Sequence, residues 1–204
     1  MDEFGLENHE QEQAWMAALN LAHTCRYEEP HSRLVTRLAL RLYDSLQSLH
    51  KLGETERFWL QCAGILHDIG WVEGWRSHHK YSLNIILNTP LLPFDQRERL
   101  LIGSIARYHR GALPDPAHDH MAALSPADRL VVLPLAGMLR LADGLDSPHQ
   151  QQVRDVMCKA GKRTLKVWYA APSRLKPVEL AAQEKSDLLA SVFERKVEIR
   201  WETL

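Results

Sequence analysis

Through most of this chain apolar residues recur at the three- and four-residue spacing of a helix face, and they give way to alternation only after residue 160. That change of period limits the fold more than any other feature. Residues 10–26 read as an amphipathic helix. Pro30 suits the first turn of the next, where its missing N–H costs nothing. In that helix Leu34, Val35, Leu38 and Leu42 mark one face, and Arg33, Arg37 and Arg41 take another. Gly53 interrupts the chain, and residues 54–68 form an apolar helix closed by Gly70 in a "DIG" turn. Ser77 predicts the cap of a helix reaching Asn88 and stopped by Pro90. Asp95 predicts another reaching His109, followed by Gly111 and Pro114. Ser125-Pro126 with Asp128 is a capping pattern that opens a long helix to about Asp143, with Pro134 predicting a kink. "RTLKVWYA" (163–170) and "RKVEIRW" (195–201) alternate as half-buried strands do, with residues 177–193 as a helix between them. The expected fold is mainly α. A helical body spans residues 1–160, and a small strand–helix–strand appendage over 161–204 packs on or beside it.

The 204 residues are 45% hydrophobic, enough for one good-sized core. A formal net charge of −1 indicates neither nucleic acid nor an anionic membrane as partner. Cys25, Cys62 and Cys158 are odd in number, far apart and in no CxxC pattern, so a reduced, cytoplasmic chain is expected. The acidic start "MDEFGLENHEQEQ" lacks the basic and apolar regions of a secretory signal. Apolar runs such as "LVVLPLAGMLRLA" are broken by Pro134 and Arg140, short of the roughly 18 apolar residues that a membrane span needs. Nucleophile elbow, dinucleotide fingerprint and zinc-finger cysteine pair are all absent from the sequence.

Histidine is the compositional outlier, with eleven in the chain, and it is the commonest metal ligand. Four groups stand out by position: His31 near one helix start, His67 and Asp68 ending another, and Asp143 late in the long helix. Mixed imidazole and carboxylate donors suit Mn, Fe, Co, Ni or Zn, and carboxylates also suit Mg. Helical bundles assemble such sites from inward-projecting side chains on facing helices. A metal held there lowers the pKa of bound water and stabilises charge on a phosphoryl oxygen, which favours phosphate-ester hydrolysis. The competing reading is structural, a buried hydrogen-bond network of the same groups. Either way Asp143, flanked by Leu139, Leu141, Ala142 and Leu145, demands a partner, because an unpartnered buried carboxylate is costly.

The order H…HD…D, carried by His31, His67-Asp68 and Asp143, resembles the HD-domain phosphohydrolase superfamily. Within it, "LHDIG", "HHKYSLNIILNTPL", "IARYHRGALPDPAH" and "LRLADGLD" resemble the C-terminal HD domain of the exopolyphosphatase / guanosine pentaphosphate phosphohydrolase (Ppx/GppA) family. The resemblance runs from about residue 28 to 158 and more faintly through the tail. It implies an HD-type helical bundle holding one divalent ion on His31, His67, Asp68 and Asp143. A second ion would fall to His78, His79 and His109 with Asp68 bridging. Relatives often read "HHKHS" where this chain has Tyr81, so that position does not imply the second ion. Asp68, Lys80 and Arg110 are the candidate catalytic residues, the two cations holding phosphate oxygens while a metal-bound water attacks phosphorus. Arg107 and Arg140 are lesser candidates for the same task. Asp146 either caps its turn, the reading favoured here, or orients a ligand histidine. His118 and His120 read as loop surface groups, His149 carries no pattern, and Trp71 and Trp75 either wall a pocket or pack.

In the full-length family the phosphatase site lies mainly in N-terminal actin-like domains, whose Gly-rich phosphate loop these residues lack, so the chain reads as a stand-alone HD domain. The function expected is metal-dependent hydrolysis of a phosphate ester or nucleotide-like small molecule. The alternative is a non-catalytic nucleotide- or polyphosphate-binding regulatory module. A homo-oligomer stays open.

Overall fold

In the computed structural model, residues 8–203 are described; residues 1–7, part of the stretch read above for a leader, lie outside them. Helix α1 (His9–Thr24) begins where the Asn8 side chain accepts the Gln11 amide at 2.9 Å. Helix α2 (Glu29–His50) carries Pro30 in its first turn and is the longest of the described helices. Helix α3 (Glu54–Leu66) buries every residue from Phe58 to Leu66. Two short 3-10 turns (Ile69–Val72 and Trp75–Ser77) lead into α4 (His78–Asn88), which Ser77 precedes without a side-chain bond. Helix α5 (Gln96–Arg107) opens on a reciprocal box in which Asp95 and Glu98 each take the other's amide. After the single-turn α6 (Asp119–Ala122), Ser125 caps α7 (Pro126–Leu145), the helix with the longest buried run. Pro134 stands inside α7, and Leu130, whose carbonyl it deprives of a donor, is exposed.

The core lies between these helices. Leu38, Leu42 and Leu46 of α2 meet α3 on one side and α7 on the other, where Leu135, Leu139 and Ala142 are fully buried. Helix α5 closes the bundle against α3 and α7, α4 lies on α5, and α1 covers α3. Cys25, Cys62 and Cys158 are unpaired. Among the described residues no helix is long and apolar enough to cross a membrane.

The expected mainly α fold with a strand-bearing appendage is the observed one, with two corrections in the appendage. A further strand, β1 (Asp155–Ala160), lies on the helical side of the expected boundary at 160 and pairs antiparallel with β2 (Thr164–Ala171). Val156 and Cys158 point into the core while Met157 and Lys159 face out, so the alternation is real but short and poor in β-branched residues. The single helix expected over 177–193 is two, α8 (Lys176–Glu184) and α9 (Asp187–Phe193). Buried Ser186 breaks it by donating to the Gln183 carbonyl at 2.7 Å, a local bond that competes with the helix ladder. Strand β3 (Lys196–Thr203) then returns parallel to β2, the pairing that needs such a helical crossover. Both α8 and α9 pack on α7, and β1 packs on α2. At Gly144 a Cβ would lie 2.9 Å from the Ala182 Cα, so glycine there sets how closely α8 approaches α7.

Candidate metal centre

The "DIG" turn is where local structure begins to shape the site. A Cβ on Gly70 would collide with the His78 carbonyl and the Ser82 amide, so only glycine lets the end of α3 lie against the start of α4. Ser82 locks the contact, accepting from the Gly70 amide at 2.9 Å and donating to the His67 carbonyl at 2.6 Å. His67 and Asp68 thereby face His78 across a buried junction.

Three histidines of this junction share one device. Nδ1 of His67 bonds the Gly64 carbonyl at 2.7 Å, that of His78 the Trp75 carbonyl at 2.8 Å, and that of His109 the Ala106 carbonyl at 2.7 Å. A carbonyl only accepts, so each Nδ1 carries a proton, which leaves Nε2 as the atom that a neutral ring would offer to a cation. For His67 and His109 the carbonyls belong to the last turns of helices, which the regular i−4 ladder no longer fully occupies.

Those Nε2 atoms converge on Asp68. Nε2 lies 3.3 Å from its Oδ2 in His67, and 3.1 Å and 3.4 Å from its Oδ1 in His78 and His109. The Nε2 atoms of His78 and His109 are 3.2 Å apart. His31 joins from α2, its Nε2 3.7 Å from Asp68 and 3.4 Å from Asp143 Oδ1. Nε2 of His31, Nε2 of His67 and Oδ1 of Asp68 are buried with no hydrogen-bond partner. Where these Nε2 atoms carry no proton they repel the carboxylate oxygens, and a cation among them relieves the repulsion. Three donor sets fall within 4.8 Å: His31, His67 and Asp143; His67, Asp68 and His109; His31, Asp68 and His149. The chemistry of these donors fits a divalent first-row ion.

Electrostatics follow the same geometry. Burial opposes ionisation of Asp68, yet His67, His78 and His109 hold its carboxyl well below the usual range. Asp143 is likewise depressed against burial by Lys185 and His31. Burial lowers His31, but hydrogen bonding to Asp143 and Asp146 outweighs it and raises the imidazole to about 10. His109 is driven well below its ordinary value by burial and by His67.

The four primary candidates, His31, His67, Asp68 and Asp143, therefore come together, and His109 with them. His79 does not. It is buried beside Gly111 with Nδ1 unbonded, it belongs to none of the three donor sets, and burial and Arg107 push it down to about 4. Its neighbour His78 takes the place at Asp68. Lys80 and Tyr81 are exposed on α4, away from the residues that line the cavity above the cluster. Arg107 is buried with its guanidinium 5.4 Å from the Tyr108 ring and also lies off the cavity.

That cavity, of about 400 Å³, has Asp68, His78, His109 and Asp143 in its lining, with Arg110, Arg140 and Lys185 as cations. Arg140 is held by Asp187 through two bonds of 2.7 and 3.1 Å. Trp71, half exposed, walls it and stacks on His78 at 5.0 Å between centroids. Asp146 orients a candidate ligand rather than serving only as a cap: its Oδ2 accepts His31 Nδ1 at 2.8 Å, and the Gln151 amide holds its Oδ1. His149, to which sequence assigned nothing, stacks on His31 at 3.7 Å and bonds Glu28 at 2.6 Å. Lys185 bonds Asp143 Oδ2. Neither carries a local motif, since each reaches the site by tertiary packing alone.

The family described as Ppx/GppA phosphatase, domain III, matches residues 15–181, from Trp15 in α1 to Ala181 in α8. The chain belongs to this family. The Ppx/GppA match covers every helix that contributes to the cluster, and it stops just before Lys185.

Proposed function

We propose that this Ppx/GppA domain III chain is a metal-dependent phosphohydrolase of the HD type, acting on a phosphate ester or nucleotide-like small molecule. The observation that carries the reading is the buried convergence of the His31, His67, His78 and His109 imidazoles on two carboxylates, beneath a cavity walled by Arg110 and Lys185. His31, His67, Asp68 and Asp143 would hold the ion, with His78 and His109 on the far side of Asp68. Such an ion supplies Lewis-acid stabilisation at a phosphoryl oxygen and lowers the pKa of water.

The chain's own residues do the rest. The Nδ1–H bonds to backbone carbonyls fix the tautomer and aim of each ligand ring before anything binds. Asp146 does the same for His31. Arg110, half-buried on the cavity wall, is placed to pair with phosphate oxygens, where a guanidinium can bond two at once. Trp71 and His149 narrow the approach and limit water at the centre of the cluster.

Elemental analysis of protein purified without added metal, with a phosphatase screen in Mn, Co, Ni and Mg, tests the reading. Bound metal and turnover that are both lost in Asp68→Asn are expected. Metal without turnover on a broad phosphate panel would make the domain a binding module, and absence of metal would return the cluster to a structural network.

A further inference from the structure

Lys185 comes to the cluster from the strand-bearing unit rather than from the helical bundle. It directly follows the last turn of α8, where the carbonyl end of a helix favours a cation. The close seat of α8 on α7 at Gly144 brings it to Asp143. Its ammonium bonds Oδ2 of Asp143 while Oδ1 of the same carboxylate faces His31. One carboxylate thus serves a lysine on one oxygen and the imidazole cluster on the other. An ammonium has three donors, and this side chain keeps 24% of its surface exposed where it lines the cavity.

A divalent ion and an ammonium draw on the same carboxylate charge. An ion at the imidazole side of Asp143 weakens the hold on Lys185 and leaves its donors facing the cavity. There the other available cation is Arg110, which meets His78 Nε2 at 3.4 Å and no carboxylate among the described residues. Arg140 is unavailable because Asp187 already holds it in two bonds.

We propose that Lys185 is the switching cation of this cavity: it neutralises Asp143 while no divalent ion is held, and binds the phosphate group of the ligand when one is. The proposal rests on the metal-site reading above. It makes metal and phosphate binding mutually reinforcing, and such coupling is reciprocal.

The test is calorimetric titration of the full chain, stripped of metal, with Mn²⁺ alone and then with inorganic phosphate at saturating Mn²⁺. Lys185→Met is expected to bind Mn²⁺ about tenfold more tightly than the wild type, and phosphate about tenfold more weakly, within the usual range of such couplings. Lys185→Arg keeps the charge and should hold Mn²⁺ affinity near the wild-type value, which separates loss of the cation from damage to the fold. Equal or weaker Mn²⁺ binding by Lys185→Met overturns the switch and leaves the metal site standing. Tighter Mn²⁺ binding with unchanged phosphate affinity overturns it as well. No Mn²⁺ binding by any form overturns both readings.

Discussion

A histidine in this protein is committed as much by what holds its Nδ1 as by what its Nε2 faces. His78 and His79 are adjacent and both buried, yet only His78 has a carbonyl to fix its tautomer and a carboxylate within reach. His118 and His120 obey the same logic away from the site. They are half-buried rather than surface groups, because Tyr108 gathers them: its hydroxyl meets His118 at 2.6 Å and its ring lies 5.3 Å from His120. Burial, then the charge of Arg107, pushes His120 from the usual 6.5 down to about 4. At pH 7 it is neutral whether folded or unfolded. As pH falls from about 6.5 to about 4, the unfolded chain accepts a proton that the folded chain refuses, so stability is lost across that window. Urea unfolding at pH 7 and pH 5 should show a smaller acid loss in His120→Gln than in wild type, and equal losses would mean that His120 titrates normally. Sequence could not separate His78 from His79, or lift His118 and His120 out of a loop, because the deciding partners are backbone carbonyls and a tyrosine hydroxyl that carry no motif.

The elements were legible wherever a local signal fixed them. The Asp95–Glu98 box, Ser125 at α7 and Pro30 in α2 all act within one turn, and the helices begin where these residues stand. β1 and the break at Ser186 were not legible. β1 draws its partner from β2, and the break rests on one serine hydroxyl bonding back to the Gln183 carbonyl, which a serine in an otherwise helical pattern does not announce. Gly144 belongs to the same class, since its value shows only when Ala182 is seen against it. Replacing it with alanine sets two effects against each other. Helix propensity favours alanine by about 1 kcal/mol, while overpacking costs about 1–3 kcal/mol. The opposing atom is backbone and cannot swing aside, so the clash is expected to win, with a net loss of up to about 2 kcal/mol in denaturant unfolding. A stabilised Gly144→Ala would show that α8 does not sit this close to α7 in solution.

Across the whole molecule the site is a meeting of helices. His31 comes from α2, His67 and Asp68 from the end of α3, His78 from α4, His109 from beyond α5 and Asp143 from α7. The sequence order of the four primary groups was readable because each sits at a helix end or on an apolar helix face. His149 and Lys185 were not, because they meet His31 and Asp143 only after the chain has folded back on itself. If the cluster holds an ion as proposed, the same geometry makes it a stability device. The ion would bridge groups from five helices, and so tie their packing together. An ion that binds only the folded state stabilises it by about 2.7 kcal/mol at a hundred times its dissociation constant. For a chain of this size that corresponds to a rise in melting temperature of roughly 5–10 °C. Calorimetric melts in Mn²⁺ and in EDTA should differ by about that much for wild type, and the difference should vanish in Asp68→Asn, which removes the carboxylate on which the imidazoles converge. Equal melts of the wild type in both conditions would mean that the junction is stable without an ion, with the positive charge it needs provided by protonated His31 and by Lys185.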